Sequence, residues 1–210
     1  MLAYRMRYLL LSSILIMATA CSSVYRGMQK TTGTIACPQS FAPVFTKAIY
    51  KTTVDVVGKH LSGVLLIKAM PDSSTRLVFS NEMGFKYFDL SFSASGEFKV
   101  YYILPQMNKK AVLTTLRKDF ELVLMQQLQE KKLFVLQQDG LIYYGFPQEK
   151  GNNYYITDSS CQHLVRMERA SRRKPVVAAV MQHYTNGMPD TIGIRHLTFE
   201  FTIGLKKLKQ

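Results

Sequence analysis

Tryptophan is absent from this 210-residue chain, and it holds only three Cys, four His and 14 Asp plus Glu against 27 Lys plus Arg. His60, His163, His183 and His196 stand apart without HxH or HExxH spacing, and no CxxC pair occurs, which removes the common zinc arrangements. The GxSxG elbow of α/β-hydrolases and the glycine-rich phosphate loop are missing too. Glu82 and Asp89 lie near one turn, where solvated acids are commoner than a paired acid/base device. The chain is therefore expected to be no enzyme, with no metal and no cofactor. A membrane-length apolar run is lacking as well. The run Tyr8–Ala20, broken by Ser12 and Ser13, covers about 20 Å at roughly 1.5 Å per helical residue, against a hydrocarbon core of about 30 Å.

What that N-terminus does contain is the layout of an export signal. Arg5 and Arg7 precede the apolar run, and the small residues Ala18, Thr19 and Ala20 follow it. Residues 1–20 are thus expected to be removed. Ala18-Thr19-Ala20-Cys21 resembles the lipobox of bacterial lipoproteins, in which the cysteine becomes the lipid-modified first residue; the place usually held by Leu is Ala18 here. Cleavage that leaves Cys21 unmodified is the alternative. The lipobox likeness implies three acyl chains at Cys21, and at about 0.8 kcal/mol per buried methylene such an anchor is effectively permanent.

Loss of Arg5 and Arg7 leaves 25 basic residues against 14 acidic ones, a net of +11. An exported, lipid-tethered chain meets anionic headgroups rather than nucleic acid, so the excess is read as membrane proximity. Arg166, Arg169, Arg172, Arg173 and Lys174 crowd one strand and its turn and form the candidate basic contact surface, toward headgroups, an envelope protein or water alone. Cys37 and Cys161 are left once Cys21 is set aside. In an oxidising compartment they form one disulfide or remain two thiols, with Cys161 buried as a small hydrophobe.

Residues 22–38 are small, polar and aperiodic, which fits a flexible tether behind the anchor; a single domain then occupies 39–210. Period-two runs separated by Pro71-Asp72-Ser73-Ser74, Asn81-Glu82-Met83-Gly84 and Ser93–Gly96 predict an antiparallel meander, with Phe88, Leu90 and Phe92 on one face. From Asn108 the spacing turns helical: Val112, Leu113, Leu116, Phe120, Val123, Leu124 and Leu128 predict one amphipathic helix capped by Asn108. Strands resume with KLFVLQ, and turns at Asp139-Gly140, Gly151-Asn152-Asn153, Ser171–Lys174 and Asn186-Gly187 divide them. The expected fold is mainly β (α+β): a curved antiparallel sheet or half-barrel of about ten strands with one main helix. A sheet of that size with one helix must curl, close or expose apolar area.

That succession, a lipidation cysteine, a long meander, one inserted helix and further strands to a short basic end, resembles the bacterial lipoprotein-localisation carrier and its outer-membrane receptor, the Lol family. Pro189-Asp190-Thr191-Ile192-Gly193-Ile194 followed by Phe199, Phe201, Ile203 and Leu205 is similar to that family's final strand pair, and the likeness covers about residues 39–207. The family's usual tryptophans are missing. The runs SGVLLIK, SNEMGFKYFDLSF and LRKDFELVL also look like lipoproteins of the Bacteroidota type, a likeness that implies no activity. The Lol resemblance implies a half-barrel holding acyl chains or a lipidated polypeptide in an apolar cavity, anchored at the outer membrane through Cys21 and facing the periplasm. The alternative is a non-enzymatic interaction module with a filled core, supporting an envelope complex through its basic surface.

Overall fold

The structure, a computed structural model, describes residues 23–129 and 132–209. The expected signal at 1–20 and the lipidation site Cys21 lie outside the described residues. Five strands open the domain: β2 (Lys47–Val56), β3 (Lys59–Ala69), β4 (Thr75–Ser80), β5 (Lys86–Phe92) and β6 (Phe98–Ile103), preceded by a two-residue strand β1 (Gln29–Lys30) and a one-turn helix α1 (Ala36–Gln39). The main helix α2 (Lys110–Val123) follows. Then come β7 (Phe134–Gln138), β8 (Leu141–Pro147), β9 (Asn152–Asp158), β10 (Leu164–Ala170), β11 (Pro175–Thr185), β12 (Met188–His196) and β13 (Phe201–Lys207).

All thirteen strands join one antiparallel sheet in the order β1-β7-β8-β9-β10-β11-β12-β13-β2-β3-β4-β5-β6. The strand count exceeds the expected ten. The sequence runs cover twelve strands, and the thirteenth, β1, is too short to show a period; it exists because Gln29 and Lys30 pair with Gln137 and Leu136 at the edge of β7. The last strand closes the plan: β13 pairs with β12 on one side and with β2 on the other, so it welds the first meander to the second.

The sheet curls around α2. Phe120 of this helix meets Phe88 of β5 with ring centroids 6.0 Å apart. Its neighbour Asp119 reaches Arg169 of β10 and His196 of β12 on the opposite wing. A flat sheet could not touch one helix from both wings. α2 is shorter than the helical spacing predicts, ending at Leu124 because Met125 takes a left-handed φ of 53° before a 3-10 turn at Gln126–Gln129. Asn108 does not cap it: the N-cap position is Lys109, and no side chain caps the first turn.

Residues 23–30, expected as tether, instead lie on the outer face of the second meander. The ring of Tyr25 stacks on Tyr154 at 4.7 Å, and its hydroxyl donates to Glu168 Oε2 at 2.6 Å. The Val24 amide donates to the Arg173 carbonyl at 2.8 Å. With Met28, Tyr25 covers a second small core of Tyr143, Tyr154, Ile156 and Ala170. Cys37 and Cys161 are joined as a disulfide with Cα atoms 5.9 Å apart, spanning 124 positions, which ties α1 to the turn between β9 and β10.

A candidate lipid cavity

α2 does not fill the curl evenly. Leu122 and Val123, with Met125 beyond the helix, pack in the one core with Tyr144, Phe146 and Tyr155 of β8 and β9, all at most 5 % exposed. Toward β2–β5 and β13 the helix stands off, leaving a cavity of about 700 Å³. That volume is in the range of small-molecule sites. Its floor is Leu65, Phe79 and Phe88, its roof Val112 and Leu116, and its back wall Ile203. Leu61 and Leu65 on β3, and Phe201, Ile203 and Leu205 on β13, line it at even spacings, so the period that builds these strands also makes one face of them apolar.

The polar groups at this cavity are few. Thr52, Tyr87, Thr115 and Gln106 border it, and Lys59 and Lys109 sit at its exposed mouth with Val57 and Phe199. The lining holds no carboxylate, histidine, cysteine or serine. Among the described residues no cluster of three or more His, Cys, Asp or Glu is placed to hold a metal ion. A mainly apolar surface of this kind offers partition of apolar matter from water.

A buried polar cluster fixes the helix beside the cavity. Asp119, fully buried, accepts from Arg169 Nη1 at 3.1 Å and from His196 Nε2 at 2.8 Å. His196 in turn packs its ring on Phe199 and Phe201, each 4.7 Å away, and both phenylalanines line the cavity. The cluster thus connects helix position to the cavity wall. Sequence reading missed it, although a signal was present: Asp119 falls on the apolar stripe of Val112, Leu116 and Val123, where a carboxylate needs a partner.

The five basic residues read as one contact surface separate into two groups. Arg169 is committed to Asp119. Arg166 donates to Glu168 Oε1 at 2.6 Å and to the Tyr143 hydroxyl at 3.2 Å. Arg172, Arg173 and Lys174 are exposed at the tip of the hairpin between β10 and β11. The tip is held in shape by Ser171, whose hydroxyl accepts from the Arg173 and Lys174 amides and donates to the Lys174 carbonyl.

Three perturbed groups are structural in character. Burial pushes the Asp89 carboxyl up, but the Arg76 guanidinium, at 2.8 and 3.0 Å, and the Lys86 ammonium outweigh it and hold it below the usual carboxylate range. Burial, and then Glu168, drive the Tyr25 hydroxyl far above its ordinary value, so it stays a donor. The backbone N–H of His163, with Ser160 and Gln162, holds the Asp158 carboxyl low at the turn carrying Cys161.

No protein-family model matches the sequence, and no curated protein matches it. Among solved structures, the chain is similar to a DUF1329 family protein from Desulfovibrio piger, with 10 % identity, 83 % of this chain and 90 % of that chain covered, and a TM-score of 0.43. It is also similar to a domain described provisionally as an outer membrane lipoprotein-sorting protein from Vibrio parahaemolyticus, with 10 % identity, 83 % and 89 % covered, and a TM-score of 0.42. Likeness at this level assigns neither family nor activity.

Proposed function

We propose that this protein is a lipid-anchored component of the bacterial cell envelope that binds an acyl chain, or the acyl chains of a lipidated polypeptide, without chemistry. The observation that carries the reading is the cavity of about 700 Å³ with its apolar floor, roof and wall. Ten methylenes moved from water into it contribute about 8 kcal/mol before ordering costs. The residues that approach the ligand do so by shape and apolar contact, and the cavity has no carboxylate to repel a fatty-acid or phosphate head at its mouth. Lys59 and Lys109 are placed there to meet such a head.

The placement in the envelope, at the outer membrane on its periplasmic face, rests on sequence. An export-type N-terminus ends at Cys21, Ser22 rather than an acidic retention residue follows it, and the chain is strongly basic. No described helix is long and apolar enough to cross a membrane. Native mass spectrometry of the chain purified from its membrane tests the ligand: a co-purifying mass of one or more acyl chains supports the reading. A protein that releases no lipid and gains none from added fatty acid rejects it.

A further inference from the structure

The strand register gathers several features at one end of the half-barrel. Val56 pairs with both Lys59 and Phe201, Val177 with His196, and Ala170 with both Asn152 and Pro175. The turn at 57–58, the loop at 197–200, the turn at 148–151 and the basic tip at 171–174 therefore project the same way. Exposed there are Lys59, Lys150, Arg172, Arg173 and Lys174, against the acids Asp55, which pairs with His60, Glu149, Glu200, and Glu82 in the turn at 81–85 that the β3–β4 register brings to the same end. Large apolar side chains are exposed at the same end: Val57 is 70 % accessible, Phe199 46 % and Leu197 45 %. The mouth of the cavity, with Val57, Lys59 and Phe199, also opens here.

Val57 adds an independent sign. It holds a left-handed φ of 45° ahead of Gly58 at 71°, a two-residue hairpin turn in which Asn or Asp is the favoured first residue. A β-branched side chain in that conformation is strained, and strain of this kind concentrates at functional positions. The fold keeps an apolar side chain at the exposed tip where a polar one would be easier.

The N-terminal segment reaches the same end. The Val24 amide is bonded to the Arg173 carbonyl within the basic tip, and Tyr25 fastens the segment to Tyr154 and Glu168. Cys21 is three residues before Val24, so its Cα is within about 11 Å of that attachment even if the link is fully extended. The expected tether of 22–38 reduces to Ser22 and Ser23 ahead of this attachment. An acyl anchor on Cys21 has no reach to place the opposite end of the domain on a bilayer.

We infer that this end of the half-barrel is the face that lies on an anionic lipid bilayer, with Arg172, Arg173, Lys174 and Lys59 at the phosphates, Val57, Leu197 and Phe199 among the headgroups, and the cavity mouth turned to the membrane. Basic groups near an anionic surface and apolar tips at the interface act together in such contacts. The inference deepens the proposed function and takes from it only that Cys21 is anchored.

The test uses the chain from residue 21 carrying Cys21→Ser, which retains every described residue, with vesicles of phosphatidylcholine alone or mixed with phosphatidylglycerol. Binding to the mixed vesicles alone is expected, lost at high salt. Arg172→Ser/Arg173→Ser/Lys174→Ser should weaken it by about a hundredfold, at about fivefold per basic residue, while Lys206→Ser/Lys209→Ser at the other end leaves it unchanged. Unfolding temperatures show that both variants fold; if the triple variant does not, Lys59→Ser with Val57→Asn takes its place. No binding to anionic vesicles, equal binding to neutral ones, or greater loss in the opposite-end variant overturns the inference. Acyl-probe binding in solution needs no vesicle, so a failure here leaves the cavity reading standing.

Discussion

The two wings of the sheet are built from similar strands and end in opposite states. In β8 and β9 the buried residues are consecutive, Tyr143 to Phe146 and Asn153 to Thr157, because both faces are covered: α2 and the segment after it inside, the strap from Val24 to Met28 outside. In β3 burial alternates, Gly63, Leu65 and Ile67 inward and their neighbours outward, and the inward face meets a cavity. One helix can cover only one wing well. The Asp119–Arg169–His196 cluster draws α2 toward β10 and β12, and the cavity remains between the helix and β2–β5 with β13.

The contrast can be broken most strongly at that cluster. Asp119→Ala leaves Arg169 and His196 without their acceptor in a buried place, and a loss of about 3–5 kcal/mol is expected in denaturant unfolding. A smaller drop, near that of an ordinary surface change, would mean that the helix is held by packing alone. Of comparable size is the covalent tie of the filled wing: Cys161→Ser opens a loop of 124 positions and should cost about 2–5 kcal/mol, read as an unfolding midpoint below that of the disulfide-bonded protein.

Paired truncations separate the filled wing from the open one. Phe146→Ala, fully buried in the filled wing, is expected to cost about 3–5 kcal/mol. Phe201→Ala, on the wall of the cavity, has fewer atoms around it to lose and should cost about half as much. Equal costs in thermal melts would argue that the cavity collapses around its walls. The smallest expected effect is one of acidity. The Asp89 carboxyl is held low in the fold by Arg76 and Lys86, so its contribution is present above the ordinary value of 3.8 and fades as pH falls through the lower folded value. Asp89→Asn should flatten that acid limb in unfolding midpoints taken at falling pH.

Much of this fold was legible in short-range pattern. Phe88, Leu90 and Phe92 share the buried face that their alternation predicts, and the Asp139-Gly140 and Asn186-Gly187 turns take the left-handed angles such pairs favour. What escaped depends on partners far along the chain. Tyr25 looked like part of a tether because its acceptor, Glu168, lies 143 residues away. Arg169 looked like surface charge because Asp119 is 50 residues before it. The cavity itself is a matter of where the helix rests, which no local period encodes; the resemblance to a lipid-carrying half-barrel supplied that expectation.

A binding site and a packing defect in the open wing would respond differently to an acyl probe. Titration of the chain from residue 21 carrying Cys21→Ser with a fluorescent long-chain fatty acid, beside the same chain with Leu116→Trp added to fill the cavity, tests this directly. Saturable binding of about one probe per chain, weakened at least tenfold by the added indole with the unfolding temperature preserved, is the predicted result. Binding that is absent, or that the filled cavity leaves unchanged, would contradict it.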